Sequence, residues 1–177
     1  MLGKDRIEYI KRRIDEQLNW DIDKAIKQLK NKYDNEKYYF DEDEARNFYK
    51  FTSKLETDKG KKDEKIKLIK FQFEVCTSII CVKNRETNRR RFREVHINIP
   101  RKNGKSFIIA IIATYLYYCK NEFGSEVIIT ANSSQQAGLL FNTIHHMIKT
   151  NKTLKKYVKV TDSRKYMYKK NMNSYLR

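Results

Sequence analysis

The chain has 177 residues, a net charge of +17 and a single proline, and 40% of its residues are hydrophobic. This length accommodates one ordinary domain or a domain with a helical appendage, and the composition favours a helix-rich protein over an all-β or disordered one. The longest apolar run, Phe107 to Cys119, is too short to span a bilayer and lies mid-chain, which excludes a membrane helix or a secretion signal.

The positive charge is concentrated in the second part of the chain. Residues 1–65 contain 17 Lys and Arg against 16 Asp and Glu, a balance of +1, whereas residues 66–177 contain 22 against 6, a balance of +16. A nucleotide needs only a few positive charges, so the surplus suits a nucleic-acid backbone. If the chain is a fragment, a missing acidic complement explains the same charge equally well.

Residues 1–58 are predicted to form a helical arm or subdomain. Apolar residues recur at helical spacing from Ile7 to Leu29, which predicts one amphipathic helix. The acidic cluster Asp41 to Glu44 predicts the start of a second helix, because negative charge is favourable at a helix N-terminus. The polar residues 59–65, which include a glycine, are predicted to be a linker.

Residues 66–93 are predicted to form a buried helix, a strand and a basic turn. The apolar segment from Ile66 to Ile80 supplies the helix and the start of the strand, and a hairpin tip is the simplest geometry for Lys83 to Arg93. Four arginines in this turn are the candidate contacts to a nucleic-acid backbone: Arg89, Arg90, Arg91 and Arg93. Cys76, Cys81 and Cys119 lie in apolar runs and are predicted to be reduced and buried.

Residues 93–118 have the pattern of a strand, a phosphate-binding loop and a helix. Val95, Ile97 and Ile99 alternate with polar residues, and an apolar helical run follows Ser106. In such a loop Gly104 allows a phosphate to approach the backbone closely, Lys105 adds a mobile charge and Ser106 holds Mg²⁺. The usual pattern has glycine where this chain has Ile99, so a plain turn with a basic neighbour stays an alternative.

A second strand and helix follow this loop. The strand is predicted over Glu126 to Ala131, and Ser133 is predicted to cap a helix that runs to about Lys149. Alternating strands and helices imply a parallel sheet. We therefore predict an α/β fold, the incomplete parallel sheet of a P-loop NTPase with flanking helices, in residues 66–177.

With these residues in view, the chain resembles the N-terminal part of the large terminase subunit of tailed bacteriophages. Four segments carry the resemblance over residues 66–150: residues 68–72, 89–94, 100–106 and 130–137. The first resembles the family's adenine-binding segment, the second its basic approach to the first strand, the third its P-R-K-N-G-K-S loop, and the fourth its motif ending in Gln-Ala.

The resemblance implies a DNA-packaging motor that uses ATP and Mg²⁺. Phe71 and Gln72 would bind adenine, Arg101 would act in cis on the γ-phosphate, and the loop from Lys102 through Asn103, Gly104, Lys105 and Ser106 would surround the phosphates. The implied partners are double-stranded DNA, a portal protein, a small terminase subunit and other copies of the chain in a ring. No membrane association is implied. The implied location is the cytoplasm of the bacterial host.

The chain departs from the family pattern after the loop. No apolar strand after Lys105 ends in the Asp-Glu pair that holds Mg²⁺ and activates water, and no nuclease region follows. The chain is therefore expected to be an N-terminal fragment of the parent ATPase and endonuclease, without the residues for hydrolysis. Two alternatives stay open: a fragment of a superfamily-two helicase-like ATPase, and a non-enzymatic DNA-binding or assembly module.

Overall fold

The computed structural model describes residues 2–57, 63–120, 124–161, 165–169 and 174–176. The chain divides into two compact units, Met1–Tyr49 with Lys67–His96, and Lys50–Ile66 with Ile97–Arg177. The predicted division of the chain at residues 58 and 65 stays a prediction, and most of the predicted linker lies outside the described residues. No described helix has both the length and the apolar character needed to cross a bilayer.

Helices and strands are mixed along the chain, as the predicted α/β class requires. The helices are α1 (Leu2–Leu18), α2 (Ile22–Tyr33), α3 (Glu42–Thr52), α4 (Lys70–Cys81), α5 (Lys105–Cys119), α6 (Ser134–Thr150) and α7 (Lys152–Lys155). The strands are β1 (Tyr38–Phe40), β2 (Val82–Asn84), β3 (Glu126–Val127), β4 (Val158–Thr161), β5 (Tyr166–Lys169) and β6 (Ser174–Leu176).

The prediction of one continuous N-terminal helix is wrong, because α1 ends at Leu18 and a separate helix, α2, begins at Ile22. Asp21 has an extended backbone, and its side chain accepts a hydrogen bond from the backbone N–H of Lys24. An aspartate in this position starts a new helix by satisfying a donor that the first turn leaves unpaired. Helix α2 buries Ala25, Ile26 and Leu29, whereas the apolar residues Ile7, Ile10, Ile14 and Leu18 of α1 are exposed.

The next elements of the first unit follow the prediction closely. The Asp41 side chain accepts a hydrogen bond of 2.9 Å from the backbone N–H of Glu44 and so caps α3. Helix α4 runs directly into β2, which pairs antiparallel with β1. The basic turn follows β2 and is closed by a hydrogen bond of 2.9 Å from Asn84 N–H to the carbonyl of Arg89. The helix, strand and turn predicted here are therefore confirmed.

An aromatic cluster forms part of the core of the first unit. The Trp20 ring packs on Phe73 at 4.9 Å and edge-on against Tyr49 at 5.7 Å. Its indole N–H donates a hydrogen bond of 3.0 Å to the carbonyl of Leu68. Trp20 is half-buried, and a tryptophan in such a place usually satisfies its ring N–H while the rest of the ring packs against apolar neighbours.

The second unit is built around α5 and α6. Both helices were predicted, and the Ser133 side chain caps α6 by accepting a hydrogen bond from Gln136 N–H. Ile108, Ile111, Ile144 and Met147 from the two helices are fully buried. Cys119, at the end of α5, is exposed, which corrects the prediction of a buried thiol, whereas Cys76 and Cys81 in the first unit are buried as predicted.

The sheet of the second unit differs from the parallel sheet predicted for it. Its strand order is β3-β6-β5-β4, and among these strands only β3 and β6 pair in parallel. The strands β4, β5 and β6 follow one another with short connections, which favour antiparallel pairing. The strand predicted over Glu126 to Ala131 is limited to Glu126–Val127.

The strand predicted before the loop is also wrong for the described part of the chain. Residues 94–100 have no assigned secondary structure, and no described strand pairs with them. Part of the alternation survives in the burial, since Ile97 and Ile99 are half-buried while His96 and Asn98 are exposed, but Val95 is 43% exposed. An alternating pattern specifies which side chains are covered, but a strand also needs a neighbour for its backbone hydrogen bonds.

Candidate functional site

Gly104 stands at the junction between the loop and helix α5. It is the N-cap of the helix, with φ of 78° and ψ of 21°, a left-handed conformation that glycine adopts without steric cost. Lys105 follows as the first residue of α5. A left-handed residue followed by a right-handed one points successive N–H groups towards the same side, which makes a concave anion-binding surface.

Two side chains hold the loop in shape. The Asn103 amide donates hydrogen bonds of 3.3 Å to the carbonyls of Pro100 and Arg101. The Lys105 ammonium donates a hydrogen bond of 2.6 Å to the carbonyl of Ile99. The lysine therefore spans the loop from the helix back to the residue where the usual pattern has its first glycine.

A cavity of about 680 Å³ opens on this loop, a volume typical of sites for small molecules. Its lining residues are Thr57, Arg101, Lys102, Gly104, Lys105, Ser106, Phe107 and Thr143. None of them is acidic and three carry positive charge. Thr57 and Thr143 were not predicted, because they come from distant parts of the sequence that only folding brings to the loop.

The electrostatics of the cavity favour an anion. The first N–H groups of a helix have no partner within the helix, and the helix dipole adds partial positive charge at the same end. Arg101, Lys102 and Ser106 are exposed, so their side chains are accessible from solvent. The structure thus brings Arg101 and Lys102 to the same cavity as Gly104, Lys105 and Ser106.

Phe71 and Gln72 lie at the start of α4, in the first unit, whereas the loop belongs to the second. The Gln72 amide oxygen accepts a hydrogen bond of 3.3 Å from the backbone N–H of Ile69. The backbone N–H of Phe71 donates a hydrogen bond of 2.9 Å to the side chain of Gln17, a partner that the sequence pattern did not reveal. Both residues are half-buried.

The four predicted arginines of the basic turn line one small cavity. Its volume is about 260 Å³, and it is bounded by Tyr38, Asn84, Thr87, Arg89, Arg90, Arg91 and Arg93. The Arg91 guanidinium lies 4.4 Å from the centre of the Tyr38 ring and 5.0 Å from that of Phe92. These contacts orient Arg91, and all four arginines are exposed.

Lys83, which the sequence places in the same basic run, is a buried member of an ion-pair cluster. Its ammonium lies 2.6 Å from carboxylate oxygens of both Asp41 and Glu44. Burial lowers the pKa of Lys83, but the hydrogen bonds that its ammonium donates to Asp41 and Glu44, together with their negative charge, outweigh it and the net shift is upward. Lys83 therefore contributes to the first unit's stability and not to a surface patch.

Comparison with known proteins identifies the family. The profile of the terminase large subunit ATPase domain matches residues 70–175. The chain therefore belongs to the terminase large subunit ATPase domain family. Comparisons with curated proteins and with solved structures found no significant match.

Proposed function

We propose that the chain binds the phosphates of ATP at the loop 100–106 and belongs to a motor that drives double-stranded DNA into a procapsid. The observation that carries this proposal is the left-handed Gly104 that opens α5 onto a cationic cavity of about 680 Å³, in a chain of a terminase ATPase family. The family match gives no support to a helicase-like ATPase or a non-enzymatic module.

Each loop residue has a role in this proposal. Backbone N–H groups at the start of α5 bind phosphate oxygens, and the Lys105 ammonium exchanges the Ile99 carbonyl for the β- and γ-phosphates. Arg101 offsets charge on the γ-phosphate. Ser106 fits a Mg²⁺ ion that phosphates and water mainly coordinate, because Ser106 is exposed and the lining residues that the structure describes include no carboxylate.

Phe71 and Gln72 are proposed to bind the adenine ring. The Gln72 side-chain carbonyl oxygen accepts one hydrogen bond from Ile69 N–H and has a second lone pair, so the amide keeps acceptor capacity as well as its N–H donors.

A competition titration tests the nucleotide proposal. ATP and ADP should displace a fluorescent ATP analogue far more effectively than adenosine, and equal displacement by adenosine would place the affinity outside the phosphate loop.

The same proposal assigns the remaining partners. The arginine turn contacts DNA phosphates, and the portal protein, the small terminase subunit and other copies in a ring complete the motor in the host cytoplasm. The chain's net charge of +17 supports a polyanionic partner.

The chain on its own is expected to show little or no ATP turnover. Lys105 and Ser106 position phosphates and Mg²⁺, but none of the described residues that line the cavity supplies a carboxylate to orient the attacking water. Phosphate release should stay at the background level of the Lys105→Ala variant. Steady release from the unmodified chain that disappears in this variant would contradict the prediction.

DNA binding through the arginine turn is expected to be independent of sequence and strongly dependent on salt. Each arginine that contacts a phosphate releases counterions, so the slope of log affinity against log salt should flatten by about 0.9 in each of Arg89→Ala, Arg90→Ala and Arg93→Ala. Titration of labelled duplexes at several salt concentrations measures this slope. The control is Arg12→Ala, which removes an arginine whose side chain is 71% exposed on α1. An equal change of the salt slope in Arg12→Ala would show that the arginine turn is not the DNA-binding surface.

A further inference from the structure

Three tyrosines form a continuous patch on one face of the four-stranded sheet. We call Tyr166, Tyr168 and Tyr175 the tyrosine face. The Tyr175 ring lies 5.4 Å from that of Tyr166 and 5.2 Å from that of Tyr168, with interplanar angles of 37° and 35°. The pleat explains this grouping, because Tyr168 and Tyr175 are direct partners in the β5–β6 ladder and therefore point to the same side.

The opposite face of the sheet is the one that packs on α5. The residues that alternate with the tyrosines, Met167 and Leu176, are fully buried. Lys169, on the same side as Met167, donates a hydrogen bond of 3.2 Å to the carbonyl of Tyr118 in α5. The tyrosines themselves are only half-buried, so their face of the sheet presents aromatic surface to solvent.

Positive charge lies beside the tyrosine face, on the side of β4. Lys159 is the direct partner of Tyr168 in the β4–β5 ladder, so it points to the same side, and it is exposed. Lys155 and Lys156 are exposed just before β4. Glu126, the partner of Tyr175 in β3, adds one opposing charge at the far edge. The balance of these charges favours a polyanion.

We propose that the tyrosine face binds single-stranded nucleic acid. Tyrosine rings stack on bases, and lysines beside them contact the phosphates between those bases, without a requirement for a particular sequence. A duplex does not fit this surface, because its bases are already stacked and paired within the helix. The proposal concerns a surface separate from the phosphate loop and does not depend on nucleotide binding.

The test is an anisotropy titration of labelled 15-nucleotide oligo-dT without ATP. Tyr168→Leu and Tyr175→Leu should each weaken binding by about 5- to 100-fold with little change in the salt slope. Lys159→Gln should instead flatten the salt slope by about 0.7. The matched control is Tyr9→Leu, because Tyr9 is 57% exposed and belongs to α1 in the first unit, not to this sheet. It should bind like the unmodified chain.

Several outcomes would overturn the proposal: no binding of oligo-dT, unchanged affinity in both tyrosine variants, or an equal loss in Tyr9→Leu. Photocrosslinking of 5-iodouracil oligonucleotides to the unmodified chain provides a readout that does not depend on the folding of any variant. Crosslinks at Tyr166, Tyr168 or Tyr175 are expected, and crosslinks confined to other residues would count against this face. ATP-analogue titration reports on the phosphate loop separately, so failure of either proposal is recognisable.

Discussion

Replacing Lys105 with alanine is expected to weaken binding of ATP by about 10- to 100-fold, the effect of losing hydrogen bonds from a charged donor to phosphate. Lys105 lines the cavity, and its ammonium already donates a hydrogen bond to a loop carbonyl. The side chain is therefore long enough to contact a phosphate bound at the loop. Titration with a fluorescent ATP analogue measures the loss.

The control for this experiment is Lys155→Ala, which removes the same charge from an exposed position in α7. It should leave the affinity unchanged within about twofold, because Lys155 is not among the residues that line the cavity and an exposed charge is screened over about 10 Å at ordinary salt. Circular dichroism confirms that α5 persists in both variants. Unchanged affinity in Lys105→Ala would place the nucleotide elsewhere. An equal loss in Lys155→Ala would show that the effect comes from net charge alone.

The start of α5 was predictable because its determinants are local. A glycine before a long apolar run, with lysine and serine after it, specifies a loop that turns into a helix, and the structure places Gly104 and Lys105 as that pattern requires. The strand before the loop was not predictable in the same way. Residues 95–99 have the alternation of a strand, but pairing depends on a partner that local sequence does not specify.

The N-terminal helices show a second limit of periodicity. The apolar spacing from Ile7 to Leu29 is regular enough for one helix, yet Asp21 starts a new helix by capping its N–H groups. A single side-chain hydrogen bond of about 1 kcal/mol decides between two arrangements that periodicity does not distinguish. The tyrosine face was not predicted from the sequence, because the lysines dominate the sequence of the last 26 residues and the grouping of the tyrosines depends on strand pairing.

The candidate sites also differ in whether their residues are neighbours in the sequence or are brought together only by folding. The arginines of the basic turn are neighbours in sequence, so their grouping was predictable, and they line one cavity. Thr57 and Thr143 reach the loop cavity only through folding, and no local signal marks either residue. Lys83 looked like another cation of the turn because its two carboxylate partners lie about 40 residues earlier, at the start of α3.

Replacing Lys83 with methionine is expected to lower the free energy of unfolding of the first unit by about 3 kcal/mol. Methionine keeps much of the side chain's volume, so the loss comes from the carboxylates of Asp41 and Glu44, which lie within 2.6 Å of the ammonium and would lose its charge. Glu44 is only 7% exposed, so water would not replace the lysine fully. Urea denaturation followed by the fluorescence of Trp20 measures the change within the same unit.

The control is Arg12→Met, because Arg12 pairs with Glu16 at 3.7 Å with side chains 71% and 47% exposed. Such a pair should contribute no more than about 0.5 kcal/mol. The pKa of Lys83 is raised in the folded state, so its ion pairs are fully formed below the ordinary lysine pKa of 10.5 and weaken only as the pH rises above it. The deficit of Lys83→Met should therefore be the same at pH 7 and pH 9. A deficit that disappears by pH 9, or one no larger than that of Arg12→Met, would contradict the structural role of this buried lysine.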